Sequence, residues 1–300
     1  MTVVEDGPGR DAIPTRADDD YTPSARRLER ERHRRVRARR ATAIAALSTL
    51  VTAAVLYLIV VNAPGWPRTR ETFFNGQYAR EALPKVLEGL WLNVRLLLVC
   101  GVAVLVLGML IAIARTLRGP VFFPLRALAA AYTDFFRGLP LLINLMIVVL
   151  GVPALRLQGV TVDPVLLGGT ALTLTYSAYV AEVFRAGIES VHPSQRAAAR
   201  SLGLTNRQAL RHVILPQAVR RQVPPLLNDL VSLQKDTGLV SIGGAIDAVR
   251  AADIIVGRSL NYTPYIVAGL VFVALTIPMT RFTDWVTARM DRQRAQGGSI

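Results

Sequence analysis

The run from Ala41 to Ala63 contains no charged residue and is built largely of Ala, Val, Leu, Ile and Thr. About twenty consecutive apolar residues are what an α-helix needs to cross a bilayer. In lipid every backbone donor and acceptor must find a partner inside the chain, which restricts spanning structures to helices and closed barrels. Comparable apolar segments follow at Gly89–Ala114, Gly138–Leu155, Pro164–Phe184 and Pro264–Phe282. With 52% apolar residues overall, the fold class is an all-α polytopic membrane protein.

A further segment, Val223–Gly243, is far less hydrophobic: it holds Asn228, Asp229, Ser232, Gln234, Lys235 and Asp236. It counts as a span because the topology needs one there, and because polar residues inside a span are expected where it faces a cavity. The total is six transmembrane helices. The resulting organisation is a disordered basic cytoplasmic tail (1–40) with room for a helix near the membrane, an N-terminal transmembrane helix (41–63), an outer connection (64–88), a transmembrane domain (89–286) with a polar loop at 189–216, and a cytoplasmic tail (287–300). A signal peptide is excluded, since the first apolar run and the tail before it are both too long for one.

The net charge of +14 would suit a nucleic-acid partner, but topology accounts for it better. With both termini inside, 26 of the 35 Lys and Arg fall on cytoplasmic segments and 7 on outer ones, as the positive-inside rule requires. The chain is therefore read as a multi-pass membrane protein with both termini in the cytoplasm and no nucleic-acid partner. The single cysteine, Cys100, leaves no disulfide framework, and three scattered histidines give no metal-ligand spacing. The only two lysines, Lys85 and Lys235, precede Val and Asp, so the Gly-x-x-x-x-Gly-Lys-Ser/Thr phosphate loop is missing. No catalytic constellation stands out and no cofactor is called for; any nucleotide energy must come from a partner.

The polar loop is the most informative stretch. Between Pro193 and Pro216 it reads PSQRAAARSLGLTNRQALRHVILP. Proline suits the first turn of a helix, Gly203 accepts the left-handed turn that ends one, and Thr205 with Gln208 is a capping box that starts another. Pro216 is expected to terminate that second helix. Ala197, Ala198 and Ala199 give the first helix almost no side chain, so it can approach another surface closely.

This stretch resembles the EAA loop of binding-protein-dependent ABC transporter permeases: Glu-Ala-Ala, three residues, Gly, nine residues, Ile-x-Leu-Pro. The matching positions are Ala197, Ala198, Ala199, Gly203, Val213, Leu215 and Pro216, with alanine at the usual glutamate. The resemblance extends over about residues 86–290 and is closest to the polar amino-acid subfamily. Glu88-Gly89-Leu90, Tyr132–Leu142, Tyr179–Ile188 and Ser232–Gly238 resemble four further motifs of that subfamily in the same order.

The resemblance implies a type I importer fold: a five-helix permease core plus one N-terminal helix. It implies an ABC ATPase dimer docked on the loop, a second permease subunit, an extracytoplasmic substrate-binding protein and an amino-acid substrate. The loop would be the coupling helix, with shape and the neighbours Arg196 and Arg200 replacing the missing glutamate. Asp229, Ser232, Lys235 and Asp236 are candidates for the substrate path. Asp229 and Asp236 share a helical face while Lys235 points elsewhere. Interhelical pairing that fixes the bundle is the competing reading of these charges. Two other classes compete: a secondary transporter using them as an ion or proton relay, and a membrane anchor acting through its Arg-rich tail.

Overall fold

The computed structural model describes the backbone of residues 25–117 and 119–297; of these, the side chains of 37–117, 119–290 and 292 are described. Every regular element among the described residues is helical. The first, α1 (Ala25–Val61), is a single uninterrupted helix. Part of the expected disordered tail, residues 25–40, is thus helical, a correction with a plain cause. Arg, Glu, Leu and Ala are good helix formers, and no Gly or Pro lies between Ala25 and Val61. Residues 1–24 of that tail lie outside the described residues, as do 298–300 of the C-terminal one. The apolar half of α1 carries exposed side chains, among them Leu47, Leu50 and Ile59.

After α2 (Trp66–Phe73), helix α3 runs from Gly76 to Thr116. It therefore starts well before the expected boundary at Gly89. Asn75 caps it, its Oδ1 accepting from the amides of Gln77 (2.9 Å) and Tyr78 (3.4 Å). An i,i+4 ion pair, Glu81–Lys85, supports the exposed polar face of this first part.

A 3₁₀ turn (Pro120–Phe122) leads into α4 (Phe123–Gly138). Pro140 then breaks the path, and α5 (Leu141–Met146) leaves at 105° to what precedes it. The helix continues through a π turn (Ile147–Gly151) into the short α6 (Val152–Ala154). Helix α7 (Pro164–Glu189) is capped by the Asp163 carboxylate and sits at the centre of the bundle. Its inward face, Leu172, Tyr176, Val180 and Phe184, forms the main core with Leu96, Cys100 and Val104 of α3. Two side-chain bonds fasten the broken α4–α5 pair to α7: Tyr132 Oη to the Leu174 carbonyl (2.8 Å) and Asn144 Nδ2 to the Ala171 carbonyl (2.9 Å).

Among the described residues three helices are long and apolar enough to cross a membrane: α1, α3 and α12 (Thr263–Gly297). The bent α4–α6 segment makes a fourth if it counts as one span. The two predicted spans that fall short, α7 and α10 (Leu215–Asp236), pack against each other and against α3.

The expected span at 223–243 is corrected in its boundaries. Regular α10 begins at Leu215 and ends at Asp236, where a tight 3₁₀ segment (Thr237–Gly243) takes over. Helix α11 (Ala248–Ser259) then docks on α3. Asp247 caps it, Oδ1 accepting from the Arg250 amide at 2.8 Å. Asn93 of α3 holds the same corner from below: its Nδ2 donates to Asp247 Oδ2 (3.0 Å) and its Oδ1 accepts from the Ala248 amide (3.1 Å). Asn93, Asp247 and Ala248 are all buried. Gly89, one turn earlier on α3, makes the contact possible, because a Cβ there would lie 2.5 Å from the Asp247 carbonyl oxygen and the Ala248 nitrogen. Burial raises the Asp247 carboxyl above the usual aspartate range, and the hydrogen bonds it accepts only partly offset this.

Candidate functional site

The stretch singled out in the sequence lies between α7 and α10. Its first helix, α8 (Pro193–Ser201), begins with His192 as cap, whose Nδ1 accepts from the Ser194 amide at 3.2 Å. It ends in a Schellman motif. Gly203 takes φ +79°, its N–H donates to the Arg200 carbonyl (2.9 Å), and the Leu204 N–H donates to the Ala199 carbonyl (3.2 Å). The Thr205–Gln208 capping box then starts α9 (Asn206–Ala209) with both reciprocal bonds formed.

Pro216 does not terminate this second helix. The path continues through a π turn (Leu210–Ile214) straight into α10. Widening the turn, so that the Leu215 N–H donates to the Leu210 carbonyl, makes room for a ring that a regular helix would exclude. A small apolar cluster of Ile188, Val191, Ile214 and Ala218, joined by Leu210 and Leu215, holds the whole loop to the ends of α7 and α10. Arg221 adds a tie, its guanidinium donating to the Ser190 carbonyl at 2.7 Å.

The three alanines divide. Ala199 is buried, whereas Ala197 and Ala198 are exposed, with Arg200 exposed and Arg196 half-buried beside them. Leu215 is half-buried in the cluster and Pro216 is exposed. Arg196, Ala197 and Arg200 line a concavity of about 620 Å³ together with Pro193, Val191 and Glu189. One residue that the sequence reasoning passed over stands out: Leu202 at the tip is 82% exposed. A large apolar side chain directly before a left-handed glycine in a polar loop is the signal that could have found it.

Above the loop, Glu182 of α7 is bonded from two helices. Arg115 of α3 donates to Oε2 at 2.8 Å, and Arg185 pairs with it from the next turn and reaches on to Glu189. The i,i+3 pair visible in the sequence is thus half of a network that also joins α3 to α7.

The four candidate path residues do not act as one cluster. Asp236 accepts from Tyr176 Oη of α7 at 2.6 Å, which is interhelical pairing. Lys235 is exposed on another face and Ser232 is half-buried. Asp229 faces α7 on the same side as Asp236, but its Oδ2 is buried without a hydrogen-bond partner. It borders a cavity of about 160 Å³ between α3, α7 and α10, whose other walls are apolar apart from Tyr176. No group of three or more His, Cys, Asp or Glu able to hold a metal occurs among the described residues.

Residues 105–292 match the family described as binding-protein-dependent transport system inner membrane component. A probable glutamine ABC transporter permease of Bacillus subtilis is 36% identical over 188 residues, covering 62% of this chain and 84% of its own. An arginine transport system permease from the same organism is 34% identical, covering 66% and 89%. A solved amino acid ABC transporter crystallised with histidines aligns at TM-score 0.62 and 32% identity, covering 69% of this chain and 94% of that one. An inward-facing methionine ABC transporter, at 19% identity and TM-score 0.54, shares the fold. The chain belongs to the family of inner membrane components of binding-protein-dependent transport systems.

Proposed function

We propose that this chain is the permease subunit of an ATP-driven importer of polar amino acids. It crosses the membrane six times, by α1, α3, the α5–α6 arm, α7, α10 and α12, with both termini in the cytoplasm. Two such subunits, identical or paralogous, enclose the path. A pair of ATPase subunits docks on the 193–216 loops from the cytoplasm, and a binding protein delivers solute from outside. The chain carries no nucleotide site of its own. ATP binding closes the ATPase pair, draws the loops together and opens the path outward; hydrolysis resets it. In equilibrium terms, ATP favours one of two conformations and shifts the population toward it.

The observation that carries the reading is the loop itself. A short helix presents Ala197 and Ala198 to solvent with an exposed Leu202 at its tip, and it is rooted by the Ile188–Val191–Ile214 cluster in the ends of α7 and α10. Force applied at the tip therefore reaches two bundle helices directly. The side chains around it, Arg196, Arg200, Arg207 and Arg211, suit an acidic groove. The substrate class rests on relatives named for glutamine and arginine and on a solved amino acid ABC transporter crystallised with histidines.

Ala198→Arg tests the docking. Purified in mild detergent from its native membrane, the wild-type chain is expected to bring an ATPase subunit with it, and the variant to lose it through bulk at a close contact. Normal assembly of the variant complex would sink the assignment of this loop.

A further inference from the structure

We propose that a furrow between α3 and α7 binds an anionic phospholipid of the outer leaflet, with one acyl chain lying in the furrow and the phosphate pairing with Arg95. Of the topology proposed above this uses only the outward-facing start of α3, and it is independent of what the permease carries.

Arg95 is the only charged residue on α3 between Glu88 and Arg115. It is exposed, and no side-chain hydrogen bond or ion pair joins it to another described residue. A cation inside a span is costly unless it is paired or reaches the interface. Trp91, one turn earlier on α3, is exposed as well. Tryptophan concentrates at the headgroup level of a bilayer. Arg95 starts about 6 Å below that level, and its long stem can carry the guanidinium back up. What it meets there is phosphate.

The furrow continues inward from that point. Arg95, Val99 and Leu107 of α3 line a cavity of about 530 Å³ together with Leu166, Thr170 and Leu174 of α7. The two helices run parallel, with Leu96 beside Gly169 and Arg115 beside Glu182. Gly169 lets them close beneath the furrow, since a Cβ there would lie 3.3 Å from both Cys100 Sγ and Leu96 Cδ2. Val99 and Leu166 are exposed, so the furrow opens outward from the bundle. Thr170 leaves the lining effectively apolar, because its hydroxyl donates to the Leu166 carbonyl at 2.8 Å. From Arg95 to Leu107 the helix rises about 18 Å, against about 15 Å for the hydrocarbon of one leaflet. A cation at the interface end of an apolar trough one leaflet long complements a negative headgroup joined to one acyl chain. Another apolar helix, such as the Ala41–Ala63 run of a second copy, would fill the trough but bring no acid to Arg95.

The test titrates the delipidated full chain in detergent with phosphatidylglycerol or phosphatidylcholine of the same acyl chains and reads thermal stabilisation. The wild type is expected to respond to phosphatidylglycerol at concentrations at least about fivefold lower, the effect of one arginine at an anionic surface. In Arg95→Gln the two lipids should become equivalent. Val99→Trp fills the trough and leaves the guanidinium in place, so it should weaken both lipids. Leu98→Trp, exposed on the same turn but outside the furrow, should weaken neither. In native membranes a phosphatidylglycerol with a photoreactive chain should label the segments around Val99 and Leu166, and label them less in Arg95→Gln. Equal responses of the wild type to the two lipids, a preference that survives in Arg95→Gln, or a Leu98→Trp protein that weakens like Val99→Trp would each overturn the proposal. So would the absence of label at both segments, which would mean that a second copy or another helix fills the furrow. Retention of the ATPase is read separately and reports on the permease assignment, whichever way the lipid data fall.

Discussion

Gly89→Ala adds a single methyl group to α3, and its cost follows from what that methyl would meet. The new Cβ would stand 2.5 Å from the Asp247 carbonyl oxygen and the Ala248 nitrogen. Both are backbone atoms at the start of α11, so no side-chain rotation relieves the clash. Helix α11 must move away by roughly an ångström, the shortfall from an ordinary van der Waals contact. That movement stretches the two bonds by which Asn93 holds the Asp247 carboxylate and the Ala248 amide, now 3.0 and 3.1 Å. Overpacking of this kind costs about 1–3 kcal/mol, and the two buried hydrogen bonds add about 1 kcal/mol each. Alanine's better helix propensity returns about 1 kcal/mol, leaving a net loss of about 2–4 kcal/mol. For a domain of this size the apparent melting temperature should fall by roughly 5–10 °C. Thermal unfolding of the detergent-purified chain measures it, with Gly257→Ala as control. Gly257 lies in α11 itself, exposed and with nothing within 4 Å of its would-be Cβ, so the same substitution there should leave the midpoint unchanged or raise it. A Gly89→Ala protein that melts with the wild type would refute the claim that α3 and α11 are in direct backbone contact at this point.

Two further substitutions separate structure from docking. Glu182→Gln should lower the melting temperature more than Arg115→Gln does. Removing Glu182 leaves Arg115, whose side chain is only 18% exposed, without its partner and Arg185 with Glu189 alone, whereas removing Arg115 leaves Glu182 with Arg185; equal effects would mean the Glu182–Arg185 pair contributes nothing. Leu202→Ser should leave thermal stability within about 0.5 kcal/mol of wild type, because the side chain is 82% exposed. It should weaken ATPase co-purification at least about tenfold if that leucine is an anchor of the interface, and undiminished co-purification would remove it from the docking surface.

What could be read from the chain in advance follows a physical division between local and distant causes. The boundaries at Pro193, Gly203 and Thr205 are set by bonds within a few residues, so proline geometry, a left-handed glycine and a capping box were legible as letters. Asn75 belongs to the same class and its signal was present, but the polar stretch 64–88 read as a connection, and the helix began earlier than expected. Pro216 shows the limit of local rules. In isolation it stops a helix; here Ile214 and Leu215 are packed on Ile188 and Val191, and the chain widens one turn to keep that packing. The site divides in the same way. The exposure of Ala198 and the burial of Ala199 depend on the Schellman turn and the cluster beneath it, yet the spacing of the motif already placed both on the loop. The acids of α10 looked equivalent in sequence, seven residues apart on one face. They became different only when α7 brought Tyr176, sixty positions away in the chain, to Asp236 and left Asp229 against an apolar wall. A partner at that sequence distance has no local signature, and the asymmetry it creates separates two acids that the sequence presents alike.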